Sequence, residues 1–113
     1  MVTQQYAQRI TRGYVEQLGQ KIRIQRAILT GSWARGSYLE DSDVDLIIIS
    51  DDFSQMSLPD RLVYLQSQWR SKLPLEAFGY TTSEFRVLRK NSTYVRDAIR
   101  HGITILGPST RKS

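Results

Sequence analysis

The chain has 113 residues, enough for one modest hydrophobic core, and a single domain over 1–113 is the expectation. It has no cysteine and one histidine, His101, which excludes disulfide scaffolds, thiolate zinc sites, cysteine nucleophiles and histidine-based metal clusters. The net charge of +5, with 40% hydrophobic and 24% charged residues, describes a globular protein suited to an anionic partner: a nucleic acid, a nucleotide or an acidic protein face. The first residues, MVTQQYAQRI, lack a signal-peptide apolar block, and the longest apolar run, VDLIII, is too short to cross a bilayer, so a soluble cytoplasmic protein is expected.

From Gln4 to Leu18, the recurrence of Ala7, Ile10, Tyr14 and Leu18 at three- and four-residue steps predicts an amphipathic helix ending near Gly19. KIRIQRAILT then predicts a strand, which Gly31-Ser32 stops. Ser32 is a suitable N-cap for a short helix to about Leu39, and EDSD predicts a turn into a strand from Val44 to Ser50. The unbroken LIII implies an interior strand covered on both faces. A helix is expected from Leu58 to Trp69, with Pro59 in its first turn and Leu62, Leu65 and Trp69 on one side. LPLEAFGY is a strand beginning after Pro74. Thr81 and Glu84 have capping-box spacing for the next helix, NST interrupts it, and YVRDAIRH resumes. Gly102 fits a C-terminal cap, ITIL a last strand, and residues 109–113 a polar tail. Helices alternate with strands, an α/β order.

The acids crowd together between Glu40 and Asp52. An isolated D-x-D is most simply a solvated turn, but Asp43 and Asp45 stand at the mouth of the most apolar strand. In extended backbone they project to one side with Cα atoms about 6.6 Å apart. Two carboxylates so placed repel unless a cation lies between them. A calcium loop fails, since Leu46 stands where glycine is needed. A P-loop fails too, since GSWARGS offers Ser37 where a lysine must reach the phosphates. A third arrangement uses the whole stretch. Gly31 lets backbone approach a phosphate, Ser32 and the following N–H groups donate to it, and Arg35 adds positive charge, while Asp43 and Asp45 suit Mg²⁺.

Gly31-Ser32, ten residues, then Asp43-Val44-Asp45 resembles the DNA polymerase β-like nucleotidyltransferase superfamily, and within it the minimal nucleotidyltransferases. GS-x-AR-G is met by Gly31, Ser32, Ala34, Arg35 and Gly36, and SD-x-DL by Ser42, Asp43, Asp45 and Leu46. LEAFGYTTSEF looks like the strand that carries the family's third carboxylate, and VRDAIRHGITILG like its C-terminal helix and strand. The resemblance implies a small mixed sheet flanked by helices, two Mg²⁺ ions, and transfer of a nucleoside monophosphate, with ATP as the donor. It assigns Asp43, Asp45 and Glu76 to the metals and to catalysis, and Gly31, Ser32, Arg35 and Ser42 to the nucleotide. Glu76 departs from the more usual aspartate. Its alternation with Phe78 and Tyr80 on a presumed interior strand argues for a special role, against the alternative of an edge-strand acid facing water.

Under a two-metal scheme Glu76 accepts the proton of an acceptor hydroxyl while Asp43 and Asp45 bridge both ions. The resemblance points to a protein acceptor, such as a tyrosine of a helical HEPN partner in a toxin–antitoxin pair, or else to a homo-oligomer. Three other readings stay open: a weakly catalytic module that neutralises a partner by contact, transfer to a small molecule or RNA, and nucleic-acid binding through Arg86, Arg89, Lys90, Arg96 and Arg100. For those cations a solvated face is the plainer account. Trp33 and Trp69 are expected in packing rather than base stacking.

Overall fold

A computed structural model describes residues 3–39 and 42–107. Helix α1 (Gln4–Gly19) leads to strand β1 (Arg26–Thr30), the short helix α2 (Gly31–Arg35) and strand β2 (Val44–Ile49). A 3-10 turn (Asp51–Gln55) and helix α3 (Leu58–Ser67) cross to strand β3 (Leu75–Tyr80). Helices α4 (Thr82–Asn91) and α5 (Thr93–His101) follow, and strand β4 (Ile103–Leu106) closes the fold.

The four strands form one mixed sheet in the order β3-β2-β1-β4. β1 is antiparallel to β2 and to β4, whereas β2 and β3 run parallel, as an intervening helix allows. On one face Leu29, Val44, Leu46, Ile48 and Ala77 pack with residues of α1, α2 and α3, including Ala7, Leu18, Trp33 and Leu65. On the other, Ile28, Ile47 and Ile49 pack with Phe85 of α4 and with Val95 and Ala98 of α5. β2 is therefore apolar on both sides because both sides carry helices, as LIII implied.

Several boundaries differ from those expected. β1 is only Arg26–Thr30, and Ile22 and Ile24 pack against the core from the irregular segment before it. α2 stops at Arg35 instead of Leu39 because Gly36, at φ 83, turns the chain out of the helix. Its N-cap is Thr30, and Ser32 lies inside the helix. β3 is an edge strand, not an interior one. On α3, Leu62 is exposed, and the inward face is made by Leu65 and Arg61. The expected helix start at Thr81 is present as a complete capping box with Glu84, and the helix expected to resume at YVRDAIRH begins at Thr93 with Ser92 as its N-cap. Of the anticipated turn, Glu40 and Asp41 lie outside the described residues, as does the 109–113 tail. Among the described residues no helix is long and apolar enough to cross a membrane.

Among the described residues Arg61 is the one buried charged residue, with its side chain 5% exposed. Its guanidinium donates to the carbonyls of Met56 and Gly79 and, bidentately, to Glu84. It thus joins α3, β3 and α4, and its guanidinium lies over the Phe53 ring, 5.7 Å from the centroid. Removing it leaves buried carbonyls without donors, so Arg61→Ala should lower unfolding free energy by about 3 kcal/mol in urea titration. The hydrogen bond from Arg61 lowers the Glu84 pKa. The contribution of that carboxylate is therefore present above its unfolded pKa and lost as pH falls through its depressed folded value. Because Glu84 is 42% exposed, Glu84→Gln should cost less than about 1 kcal/mol at pH 7, and wild type and variant should converge in acid.

Candidate active site

Asp45 is the second residue of β2. In register it lies opposite Thr30 of β1 on one side and Glu76 of β3 on the other. Strand alternation points Asp45 to the α4/α5 face along with Ile47 and Ile49, and Glu76 to the same face along with Phe78 and Tyr80. The two carboxyl groups lie within hydrogen-bonding reach, and Asp43 lies close enough to act on the same group. Burial first, then the charges of Glu76 and Asp43, push the Asp45 pKa up to about 7. Asp43 and Glu76 are exposed at the rim, while Asp45 is half-buried.

Gly31 forms the wall behind Asp45. It has a φ of 72, and a Cβ built on it would stand 2.0 Å from Asp45 Oδ2. Glycine is required twice at this position, by the backbone and by the carboxylate that occupies its side-chain space. Ser32 follows in α2 and is partly exposed. Gly31 is thereby brought against Asp45, with Ser32 next to it at the start of α2.

Trp33 closes that ten-residue loop. Its ring is fully buried and stacked on Tyr38 at 4.2 Å, and its Nε1 donates to the Ser42 carbonyl at 2.9 Å, one residue before Asp43. The Ser42 hydroxyl accepts from the Leu39 N–H, which makes it a turn-holding group here. Arg35 leaves α2 in the opposite direction and forms an ion pair with Asp97 of α5. His101, at the end of α5, approaches the same aspartate with its Nε2 3.9 Å from Oδ1.

Sequence reasoning did not single out Tyr94. From the first turn of α5 its ring meets Phe78 of β3 edge-on, with centroids 5.7 Å apart. Burial, and then the charges of Asp45 and Glu76, raise its pKa. Its ring therefore lies on the sheet face that carries the acidic pair. No local pattern marks it, because α5 and β3 meet only in the tertiary fold.

Among the described residues no group of three His, Cys, Asp or Glu side chains is arranged to hold a metal ion as it stands. The donor chemistry nonetheless fits a hard cation: three carboxylates and no nitrogen or sulfur ligand.

Two outcomes follow. An acid with a raised folded pKa opposes folding increasingly as pH climbs from its unfolded value toward the folded one. Without divalent cations, Asp45→Asn should therefore be more stable than wild type at pH 8, by about 1 kcal/mol after allowance for solvent screening. That gain should fade toward pH 4 in thermal melts. Gly31→Ala should destabilise by at least about 2 kcal/mol, through the left-handed backbone and the clash with Asp45.

Comparison with known proteins places these features in context. A crystal structure described as a nucleotidyltransferase from Sulfolobus solfataricus superposes with a TM-score of 0.64 at 20% identity, covering 89% of this chain and 80% of that one. A toxin–antitoxin structure with AMP-PNP superposes with a TM-score of 0.56 at 19% identity, covering 86% and 73%. Both share the fold. In sequence, a chain of Methanocaldococcus jannaschii provisionally named a protein adenylyltransferase is 35% identical over 52 residues, 46% of this chain and 52% of that one. A second so named, from the same organism, is 55% identical over 29 residues, 26% and 29% of the two chains. The matched stretches thus span about half the length of the first relative and less of the second. The profile of the nucleotidyltransferase domain matches residues 9–98, most of the chain, and the protein belongs to the nucleotidyltransferase domain family.

Proposed function

We propose that the protein transfers a nucleoside monophosphate, AMP from ATP, to a hydroxyl of a protein acceptor. The observation that carries this reading is the gathering of Asp43, Asp45 and Glu76 on one sheet face with the side-chain-free backbone of Gly31 against Asp45. The adenylyltransferase names of the relatives and the AMP-PNP in the toxin–antitoxin structure support an adenine nucleotide.

In this reading Gly31 and Ser32 bind the triphosphate through backbone N–H groups and the Ser32 hydroxyl, while the Asp45 carboxylate fills the space a Cβ at position 31 would take. Asp43, Asp45 and Glu76 hold two Mg²⁺ ions, which when bound offset the charge of the leaving pyrophosphate and ease ionisation of the acceptor hydroxyl. Asp45 must give up its proton before it can serve as a ligand, which its pKa near neutrality permits. Glu76 is at the open rim, where an incoming hydroxyl can pass it a proton, and its additional methylene gives it reach from the edge strand. Arg35 and Ser42 serve the nucleotide less directly, through Asp97 and through the turn before Asp43.

The toxin–antitoxin neighbour supports a protein partner as the acceptor, and a tyrosine of a helical HEPN protein is our candidate. The test is incubation with Mg²⁺ and α-labelled ATP, with and without that partner. Label should enter the partner, and Asp43→Asn and Asp45→Asn should each reduce transfer about 100-fold or more while melting cooperatively. Undiminished transfer by both variants would sink the assignment. Complex formation with nucleotide bound and no turnover would instead identify a module that acts by contact.

A further inference from the structure

Asp43 is exposed and stands one residue before β2, so the strand ladder does not fix it directly. Its place is set by the peptides on either side. After it, the Val44 N–H donates to the Pro74 carbonyl at 2.7 Å, which ties the chain to the residue just ahead of β3. Before it, the Ser42 carbonyl accepts from Trp33 Nε1 at 2.9 Å, while the Ser42 N–H and hydroxyl close a reciprocal pair with the backbone of Leu39. Trp33 and Ser42 are the first and last residues of the interval that separates Gly31-Ser32 from Asp43, so one hydrogen bond joins its two ends.

The indole is itself held from far along the chain. Gln4, the first residue of α1, donates through Nε2 to the carbonyls of Trp33 and Ala34, at 2.8 and 3.1 Å. Those carbonyls belong to a five-residue helix too short to satisfy its own last acceptors. The Gln4 N–H, an orphan donor of the first turn of α1, goes to Tyr38 Oη at 3.2 Å, and Tyr38 stacks on the Trp33 ring at 4.2 Å. One glutamine thus fastens both the backbone of Trp33 and the ring that covers it. Trp33 is 0% exposed, and close packing gives its N–H a single direction. Ser42, in contrast, is only partly buried, and water could satisfy its carbonyl. What the indole contributes is therefore orientation: a water there would leave the peptide before Asp43 free to turn.

We infer that Trp33 is a positioning residue for Asp43, with Gln4 as its support. The indole N–H orients the peptide that presents the Asp43 carboxylate, and the glycine-serine segment and the first acid are held as one unit. The inference rests on the transferase reading above and adds to that site two residues from outside its acids. Trp33 touches no reacting atom. Its loss acts on how tightly the acids hold a divalent cation, not on the reaction once the cation is in place.

The experiment measures Mn²⁺ binding by electron paramagnetic resonance in the presence of α,β-methylene ATP, which cannot be turned over at the α-phosphorus. Trp33→Phe keeps a ring against Tyr38 and removes the donor. Gln4→Met keeps the length of the side chain, removes both of its bonds and spares the buried ring, so it carries the test should Trp33→Phe not fold. We expect each to weaken Mn²⁺ binding about 10-fold, as loss of a group that orients a metal ligand does. The Mg²⁺ concentration for half-maximal transfer should rise in parallel, with kcat recovered at saturating Mg²⁺. Val15→Ala, at another buried position of α1, controls for lost stability and should bind as wild type does. Each chain is measured where its melt shows it folded. Wild-type affinity in either folded variant, or an equal loss in Val15→Ala, overturns the inference and leaves the transferase reading intact. No Mn²⁺ binding by wild type, or undiminished binding by Asp43→Asn, overturns both together.

Discussion

The site depends on one close contact, the Asp45 carboxylate lying where any other residue at position 31 would have a side chain. That contact requires glycine at the end of β1, in a backbone conformation that other residues resist, and an acid at the second position of β2. The antiparallel pairing of Thr30 with Asp45 sets the distance between the two segments, and the parallel pairing of Asp45 with Glu76 adds the third acid. A slip of one residue in either pairing would send a carboxylate into the apolar layer beneath α1 and α3. The hydrophobic alternation that buries β2 is therefore also what aims its acids. Fold and site share one register.

Most of the fold was legible because its signals are local. The capping box at Thr81, the break at NST, the apolar run of β2 and the periodic face of α1 each act within a few residues. What escaped depends on contacts distant in sequence. Lys21 to Gln25 alternates like a strand but lies beyond the sheet, and its isoleucines are recruited sideways into the core. Arg61 reads as a surface cation on a polar helix face, yet it is buried because three acceptors from different elements converge on it. Periodicity cannot foresee partners of that kind.

The candidate site divides the same way. Gly31, Ser32, Asp43 and Asp45 belong to one continuous stretch whose spacing expresses a loop, and Trp33 closes that loop through the Ser42 carbonyl. Glu76 was named for a reason the fold alters. Its strand is at the edge and its carboxylate is exposed, so burial does not make it special; the parallel register that sets it beside Asp45 does. Tyr94 had no signal at all, and neither did the pairing of Arg35 with Asp97. Both arise because α5 packs on the sheet against β1, with Tyr94 reaching Phe78 of β3 and Asp97 reaching Arg35 at the end of α2.

The raised pKa of Asp45 shows what this geometry costs and what it is suited to. Three acids near one another, one of them half-buried, disfavour ionisation of the buried one, and the Asp45 pKa rises for that reason. A hard cation would offset the same charge, and three carboxylates suit one. The stability sacrificed at Asp45 is offset elsewhere, in the apolar layers on both faces of β2 and in the Arg61 junction. Those features lie away from the acids, on elements that need not move when the charge at the site changes. A small chain can in this way keep an electrostatically strained centre within a firm frame, with the strain confined to the few acidic side chains beside Gly31.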